Sequence, residues 1–333
     1  MLFLRDPFLA LMTGVLVLAS VLPAEGRVAE LFTLLSSLAV ALLFFLHGAV
    51  LSRAALLDGL TQWRLHLFIL ATTFLVFPLL VLPLSLLPSA LLPRDLLTGF
   101  LYMGALPSAI SSSIALTAVA RGNVPAAICS TAGSNVFGLM LTPFLAALLL
   151  STTAVGGIDL VDSLKDIFIG LLLPFLIGQL LHPWIGGALN RRKALLSRYD
   201  KLVILIIIYT AFSQSVTQGL WSKLPLHSLG LALLLCLLLL AVAIAFTLYG
   251  SRLLGLERAE EVTAVFCGSK KSLATGLPLA QVMFAGSPAL GMIVLPVMIY
   301  NQLQIMLGAV LAQRYAAQSE TESLPAEGVG ESQ

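Results

Sequence analysis

Lys270 and Lys271 stand side by side within Phe266-Cys267-Gly268-Ser269-Lys270-Lys271-Ser272-Leu273-Ala274-Thr275-Gly276-Leu277-Pro278, a stretch otherwise apolar or small. If a helix begins near Ala259, Lys270 lies roughly 16 Å along its axis at 1.5 Å per residue, close to the middle of a bilayer. An ammonium at that depth is costly, and the chemistry that repays it is specific: attracting a carboxylate or sulfonate, standing in for a bound cation, or giving up a proton. The structural alternative is that both side chains snorkel to an interface, which suits residues near span ends. Adjacent helical residues point about 100° apart. One lysine at most, most naturally Lys270, therefore faces a site squarely, leaving the other to a backbone carbonyl or a polar side chain.

A second cluster, Gly104-Ala105-Leu106-Pro107-Ser108-Ala109-Ile110-Ser111-Ser112-Ser113, sets a proline and four serines where lipid-compatible residues would be expected. Pro107 removes an amide donor and frees a carbonyl one turn earlier. At membrane depth such backbone is tolerated only where it is buried in protein or lines a water-filled cavity. Further on, Ser130, Thr131, Ser134 and Asn135 recur mostly at i, i+4, giving one helix face of hydroxyl and amide. That face suits a cation shell or an interhelical seam equally. Serines in membrane helices also simply bond to their own backbone or to a neighbour. Between these clusters, Ala120-Arg121-Gly122-Asn123-Val124-Pro125 reads as a helix end, with Gly122 or Asn123 as the left-handed cap and Pro125 opening the next helix. The candidate binding set is Ser111, Ser112, Ser113, Thr131, Ser134, Asn135, Ser269, Lys270, Lys271 and Ser272.

The elements that must hold these residues are membrane spans. Of the 333 residues, 59% are hydrophobic and only 10% charged, with a mean hydropathy of +1.02. A soluble domain carries roughly 25% charged residues. Ten apolar stretches of about the length a bilayer requires fall near 8–23, 31–52, 67–89, 96–120, 125–151, 163–186, 198–217, 228–254, 259–284 and 288–313. The first also fits a signal peptide, with Arg5 ahead of a short run ending in Leu22-Pro23-Ala24-Glu25-Gly26, although a signal peptide has little reason to precede nine further spans. With ten spans, Arg5, Arg53, Arg64, Arg121, Arg191, Arg192, Lys193, Arg198, Lys201, Arg252, Arg258 and Arg314 share the side of the N-terminus. Arg27, Arg94, Lys165 and Lys223 lie opposite. The positive-inside rule then places both termini in the cytoplasm of a cell inner membrane. Ten spans divide into five plus five, and an odd number per half inverts the second half, which sets a binding site at the midplane between repeats. The polar segment 316–333 lacks the apolar residues to fold alone and is expected to be a disordered cytoplasmic tail.

Several classes are disfavoured. The net charge of +2 comes from residues in short connections, with no basic stripe for nucleic acid. Cys129, Cys236 and Cys267 lie in apolar runs without metal-ligand spacing. His47, His66, His182 and His227 are scattered and no paired carboxylates fall at mid-span, which argues against an intramembrane enzyme. No organic cofactor is expected, and the bilayer itself is the obligatory partner.

At these motifs the chain resembles the bile acid/sodium symporter superfamily, in its SBF-like branch. The run from Ser111 to Val124, followed by Leu141-Thr142-Pro143, is similar to the family's crossover-helix signature, and Phe266 to Leu273 is similar to the branch's ninth-span signature. With the ten-span layout, the likeness covers nearly all of residues 1–315. The resemblance implies a panel domain (8–52 and 163–217) and a core domain (67–151 and 228–313), with broken fourth and ninth helices crossing near the midplane. Sodium-coupled members bind two sodium ions at that crossing. Carried over by position, Ser113 and Thr131 keep oxygen ligands for sodium, while Ile114 and Ala127 stand where polar residues are usual. Thr73, just before Phe74-Leu75-Val76-Phe77-Pro78, takes the place of an amide. The family's carboxylate falls at Phe266 and a glutamine ligand at Lys270. An ammonium 4 Å from a sodium ion costs on the order of 4 kcal/mol even at an effective dielectric of 20, so two sodium ions are poorly served. The function implied is secondary active transport of a small organic anion by alternating access, coupled to sodium or to a proton, with Lys270 standing in for a bound cation. The alternative is a non-transporting regulator of ion homeostasis, since eukaryotic members of the branch are associated with calcium handling.

Overall fold

Inside a bilayer no water is available to backbone amides, so a chain of this composition satisfies them within helices. The computed structural model describes residues 7–50, 62–151, 168–220 and 224–323, and these form helices joined by short connections. In chain order they are α1 (Pro7–Val21), α2 (Gly26–Val50), α3 (Trp63–Leu86), α4 (Arg94–Ala105), α5 (Ser111–Val119) and α6 (Val124–Ser151), followed by α7 (Phe168–Asn190), α8 (Lys193–Thr217), α9 (Leu226–Leu253), α10 (Arg258–Gly268), α11 (Leu273–Met283) and α12 (Leu290–Ser323). Among the described residues, six of these (α2, α3, α6, α7, α9 and α12) are long and apolar enough to cross a membrane unaided. Arg5, Arg53, Lys165 and Lys223, four of the basic residues that orient the chain, lie outside the described residues.

Two interruptions break the run of helices. Backbone 106–110 separates α4 from α5, and backbone 269–272 separates α10 from α11. Both fall where glycine, proline and serine concentrate. The joint between α5 and α6 departs from expectation in detail. The left-handed residue is Arg121 (φ 57°), not Gly122 or Asn123. Gly122 is instead required by close packing, because a Cβ there would stand 2.6 Å from Val262 Cγ1 and 2.7 Å from Thr117 Cγ2. Asn123 is the cap of α6, its Oδ1 accepting from the Ala126 amide at 3.0 Å. The far end also differs. α12 continues to Ser323, so the first residues of the segment expected to be a disordered tail from 316 are helical, and 324–333 lie outside the described residues.

α1, α2, α7 and α8 pack on one another, and α3–α6 pack with α9–α12. The two groups meet chiefly where α8 lies against α11 and α12. Contact between α2 and α7 is backbone to backbone: a Cβ on Gly48 would collide with the Phe175 carbonyl, and one on Gly178 with the Phe45 carbonyl. Small residues permit such approach where no hydrophobic drive separates helix from lipid. The burial pattern is that of a membrane protein, with Leu31, Leu34, Leu38 and Leu42 exposed along α2 while Thr72, Thr73, Ser113, Thr117 and Thr131 are buried.

Candidate functional site

The two interruptions cross and bond to each other. The Ser272 amide donates to the Pro107 carbonyl at 2.9 Å, and Ser108 Oγ donates to the Cys267 carbonyl. Tyr102 Oη donates to the Gly276 carbonyl at 2.6 Å and Tyr300 Oη to the Ser269 carbonyl at 2.8 Å. Carbonyls and amides orphaned by each break are thus consumed by the other break or by neighbouring hydroxyls, as buried backbone requires. Ser272 also caps α11, accepting from the Thr275 amide at 3.1 Å. Where the Cβ of an alanine at 276 would stand, the Leu106 side chain lies 2.6 Å away, so Gly276 lets the two breaks touch.

The polar face of α6 forms a seam against this crossing. Ser134 Oγ accepts from the Ser108 amide at 3.0 Å. Asn135 Nδ2 donates to the Ser108 and Thr131 carbonyls, each at 2.9 Å, while its Oδ1 accepts from Thr275 Oγ1 at 2.6 Å. Asn135 therefore ties α6 to the first break and to the first turn of α11 at once. Its replacement by alanine is expected to destabilise the protein by about 2–3 kcal/mol, because several buried groups lose their partners together. A thermal melt in detergent measures this, and an unchanged midpoint would show the seam to be dispensable.

Lys271 is held on every side. Its Nζ donates to the carbonyls of Thr73 (2.9 Å), Gly104 (2.8 Å) and Leu106 (2.8 Å), and stands 4.1 Å from the centroid of the Phe77 ring. Three acceptors saturate an ammonium's three donors. Each acceptor is free for a local reason. In α3 a π-turn spans Thr72–Val76, sending the Phe77 amide to the Thr72 carbonyl, and the next residue, Pro78, has no amide to offer Thr73. Gly104 sits in the last turn of α4, where the Ser108 amide turns away to Ser134. Leu106 has left the helix altogether. The lysine thus caps the negative end of α4. Its own peptide is bracketed by Gln304 of α12, whose Oε1 accepts from the Lys271 amide and whose Nε2 donates to its carbonyl, both at 2.9 Å.

Lys270 is equally buried, at 1% exposure, but poorly partnered. Its Nζ reaches the Ser112 carbonyl at 3.4 Å, a long bond, and lies 5.3 Å from the centroid of Phe266. Gly308 of α12 leaves room beside it, since a Cβ there would stand 3.4 Å from Nζ. Ser113 Oγ is buried without a hydrogen-bond partner, and the Cys267 thiol lies beside both Thr117 and Lys270. Among the described residues neither lysine meets a carboxylate. The buried acid is Glu261, and Arg252 (2.8 Å) and Arg258 (3.5 Å) engage it.

Of the residues singled out from sequence, Ser108's neighbours Ser134 and Asn135 join the crossing with Ser272, while Ser112 contributes its carbonyl to Lys270. Ser269 Oγ bonds back to the Val265 carbonyl at 2.6 Å, and Ser111 is exposed. Thr73 Oγ1 and Thr131 Oγ1 donate to the Ile69 (2.8 Å) and Ala127 (2.7 Å) carbonyls of their own helices. Thr117, Thr275, Tyr300 and Gln304 stand here as well, outside the candidate set that the sequence points to. Thr117 and Thr275 lie within the quoted motifs, but Tyr300 and Gln304 carry no local signal. A sodium ion fits this donor set badly. Around the crossing stand neutral hydroxyls and carbonyls together with two lysine side chains, and Lys271 already takes the converging carbonyls.

A buried crossing of two broken helices, carrying charge in an all-helical apolar chain, is the arrangement expected of a transporter, and comparison with known proteins agrees. The model of the SBF-like CPA transporter family matches residues 6–317. A protein of Pseudomonas aeruginosa described only as uncharacterised is 47% identical over 315 residues, 94% of each chain. The Escherichia coli K12 protein named "Putative symporter YfeH" is 42% identical over 315 residues, 95% of this chain and 94% of the relative. Sodium/bile acid cotransporter 7 of Rattus norvegicus is 32% identical over 282 residues, 83% of this chain and 81% of the relative. A likeness that runs from Asp6 into the last helix, and takes in both breaks, makes this multi-pass membrane protein a member of the SBF-like CPA transporter family, a family of transporters and not of enzymes.

Proposed function

We propose that the protein is a secondary active transporter of a small organic anion, in which the Lys270 ammonium holds the anion and sodium is not the coupling ion. The observation that carries this reading is the pair of buried lysines that meet no carboxylate among the described residues, one saturated by carbonyls and the other with donors to spare. An uncompensated charge in low dielectric is unfavourable, and either a substrate anion or loss of the proton relieves it. The names of the relatives, a symporter and a sodium/bile acid cotransporter, support transport of a small solute, and a bile acid is an organic anion. Counting α4 with α5 and α10 with α11 as interrupted spans gives ten crossings, read as two inverted halves of five. α1, α2, α7 and α8 form the panel and the remaining helices the core. Alternating access is movement of the core against the panel, across the contact of α8 with α11 and α12. Both termini lie in the cytoplasm, and the membrane is the cell inner membrane.

A thermal-shift screen of the purified protein against organic anions tests this, with sodium or choline as cation and at two pH values. An anion at 100 times its dissociation constant adds about 2.7 kcal/mol of stability. Stabilisation by an anion in choline, with a dependence on pH, is the expected result and favours a proton as coupling ion. Stabilisation only in sodium would overturn the sodium-free reading, and no stabilisation by any anion would favour a regulator that transports nothing.

A further inference from the structure

We infer that the Lys271 ammonium is a covalently tethered cation, filling a carbonyl cage at the crossing that would bind a monovalent metal ion if the side chain were removed. Main-chain carbonyls from unwound segments and from helix C-termini are what membrane transporters use to coordinate a sodium ion. Here three of them, from a π-turn in α3, the end of α4 and the break after it, converge on a single nitrogen at 2.8–2.9 Å. The face of Phe77 stands behind it, a further site of attraction for a cation.

The cage does not depend on the lysine for its construction. Pro78, the π-turn and the diversion of the Ser108 amide to Ser134 free these carbonyls for reasons of local backbone geometry. The position of residue 271 is set from α12, by the two bonds of Gln304 to its peptide, with Asn301 Oδ1 in turn accepting from Gln304 Nε2 at 3.1 Å. Charge in the cage is also needed, because three carbonyl dipoles pointing at one another in low dielectric repel, and water is excluded at 1% exposure. The Lys271 ammonium meets that need in the conformation seen here, with one donor for each carbonyl. With that nitrogen in the cage, the three carbonyls are already taken and sodium gains no ligands at this point. The cage rests on carbonyl geometry and not on the identity of the substrate, so a failed anion screen leaves it intact.

The test is the thermal midpoint of the purified full-length protein in detergent, compared in sodium chloride, choline chloride and n-propylammonium chloride. Wild type is expected to melt at the same temperature in sodium and choline. Lys271→Ala is expected to melt lower in choline and to regain at least about 3 °C in sodium or propylammonium. Lys271→Asn adds an amide oxygen to the cage, is expected to show the larger sodium response, and serves should the alanine variant fail to fold. A sodium-dependent rise in the wild-type midpoint, or variants indifferent to the cation, would overturn the assignment.

Discussion

Lys270→Met is expected to reduce uptake of the transported anion by a factor on the order of 30 or more, while the protein melts at or above the wild-type temperature. Removing one member of a buried, desolvated charge pair costs about 2–5 kcal/mol in binding, which sets that factor. The stability half of the expectation comes from the free protein. There Lys270 makes one hydrogen bond of 3.4 Å and meets no carboxylate among the described residues, so methionine replaces an uncompensated buried charge by an apolar chain of similar length. Lys271→Met should do the opposite, melting lower because three carbonyls lose their donors. The contrast between neighbours separates a group that acts on a ligand from one that holds the fold. Retained uptake in Lys270→Met proteoliposomes would remove Lys270 from the substrate path.

Gly178→Leu is expected to destabilise the protein by about 3 kcal/mol, lowering the midpoint by roughly 4 °C. The contact between α2 and α7 brings the Phe45 carbonyl against the Gly178 Cα, and the Ala49 amide lies 2.9 Å from where a Cβ would stand. Backbone cannot yield as a side chain can, so the helices must separate. Gly187 lies on the same helix with nothing within 4 Å of its Cβ position. Gly187→Ala should therefore leave the stability unchanged or raise it by up to about 1 kcal/mol of helix propensity. Equal melting of the two variants would show that this close approach does not hold α2 to α7.

Much of this protein is legible in its residues. Composition alone requires a membrane protein, because a surface with 10% charged residues cannot face water. The breaks at 106–110 and 269–272 are legible too, since Pro107, Gly268 and the serines around them disfavour continuous helix. That a lysine in such a break has a purpose follows from the cost of its charge. Composition misleads at the C-terminus, where a polar segment that could not fold alone continues the last turns of α12 as far as Ser323.

Tertiary structure decided which lysine meets which partners. Read by position alone, Lys270 was the residue to replace a bound cation, yet it is Lys271 whose nitrogen sits among carbonyl oxygens. Those oxygens come from residues 165 to 198 positions away along the chain. They are main-chain atoms, and a carbonyl carries no mark of the side chain attached to it, so no residue type in the sequence announces the cage. Gln304 and Tyr300 are hidden for a related reason. On an apolar helix each is an isolated polar residue, and only the arrival of the second break against α12 gives it a backbone to bond. Hydropathy and helix breakers act locally and are readable along the chain, whereas the convergence of carbonyls on one ammonium exists only once three separate segments have packed.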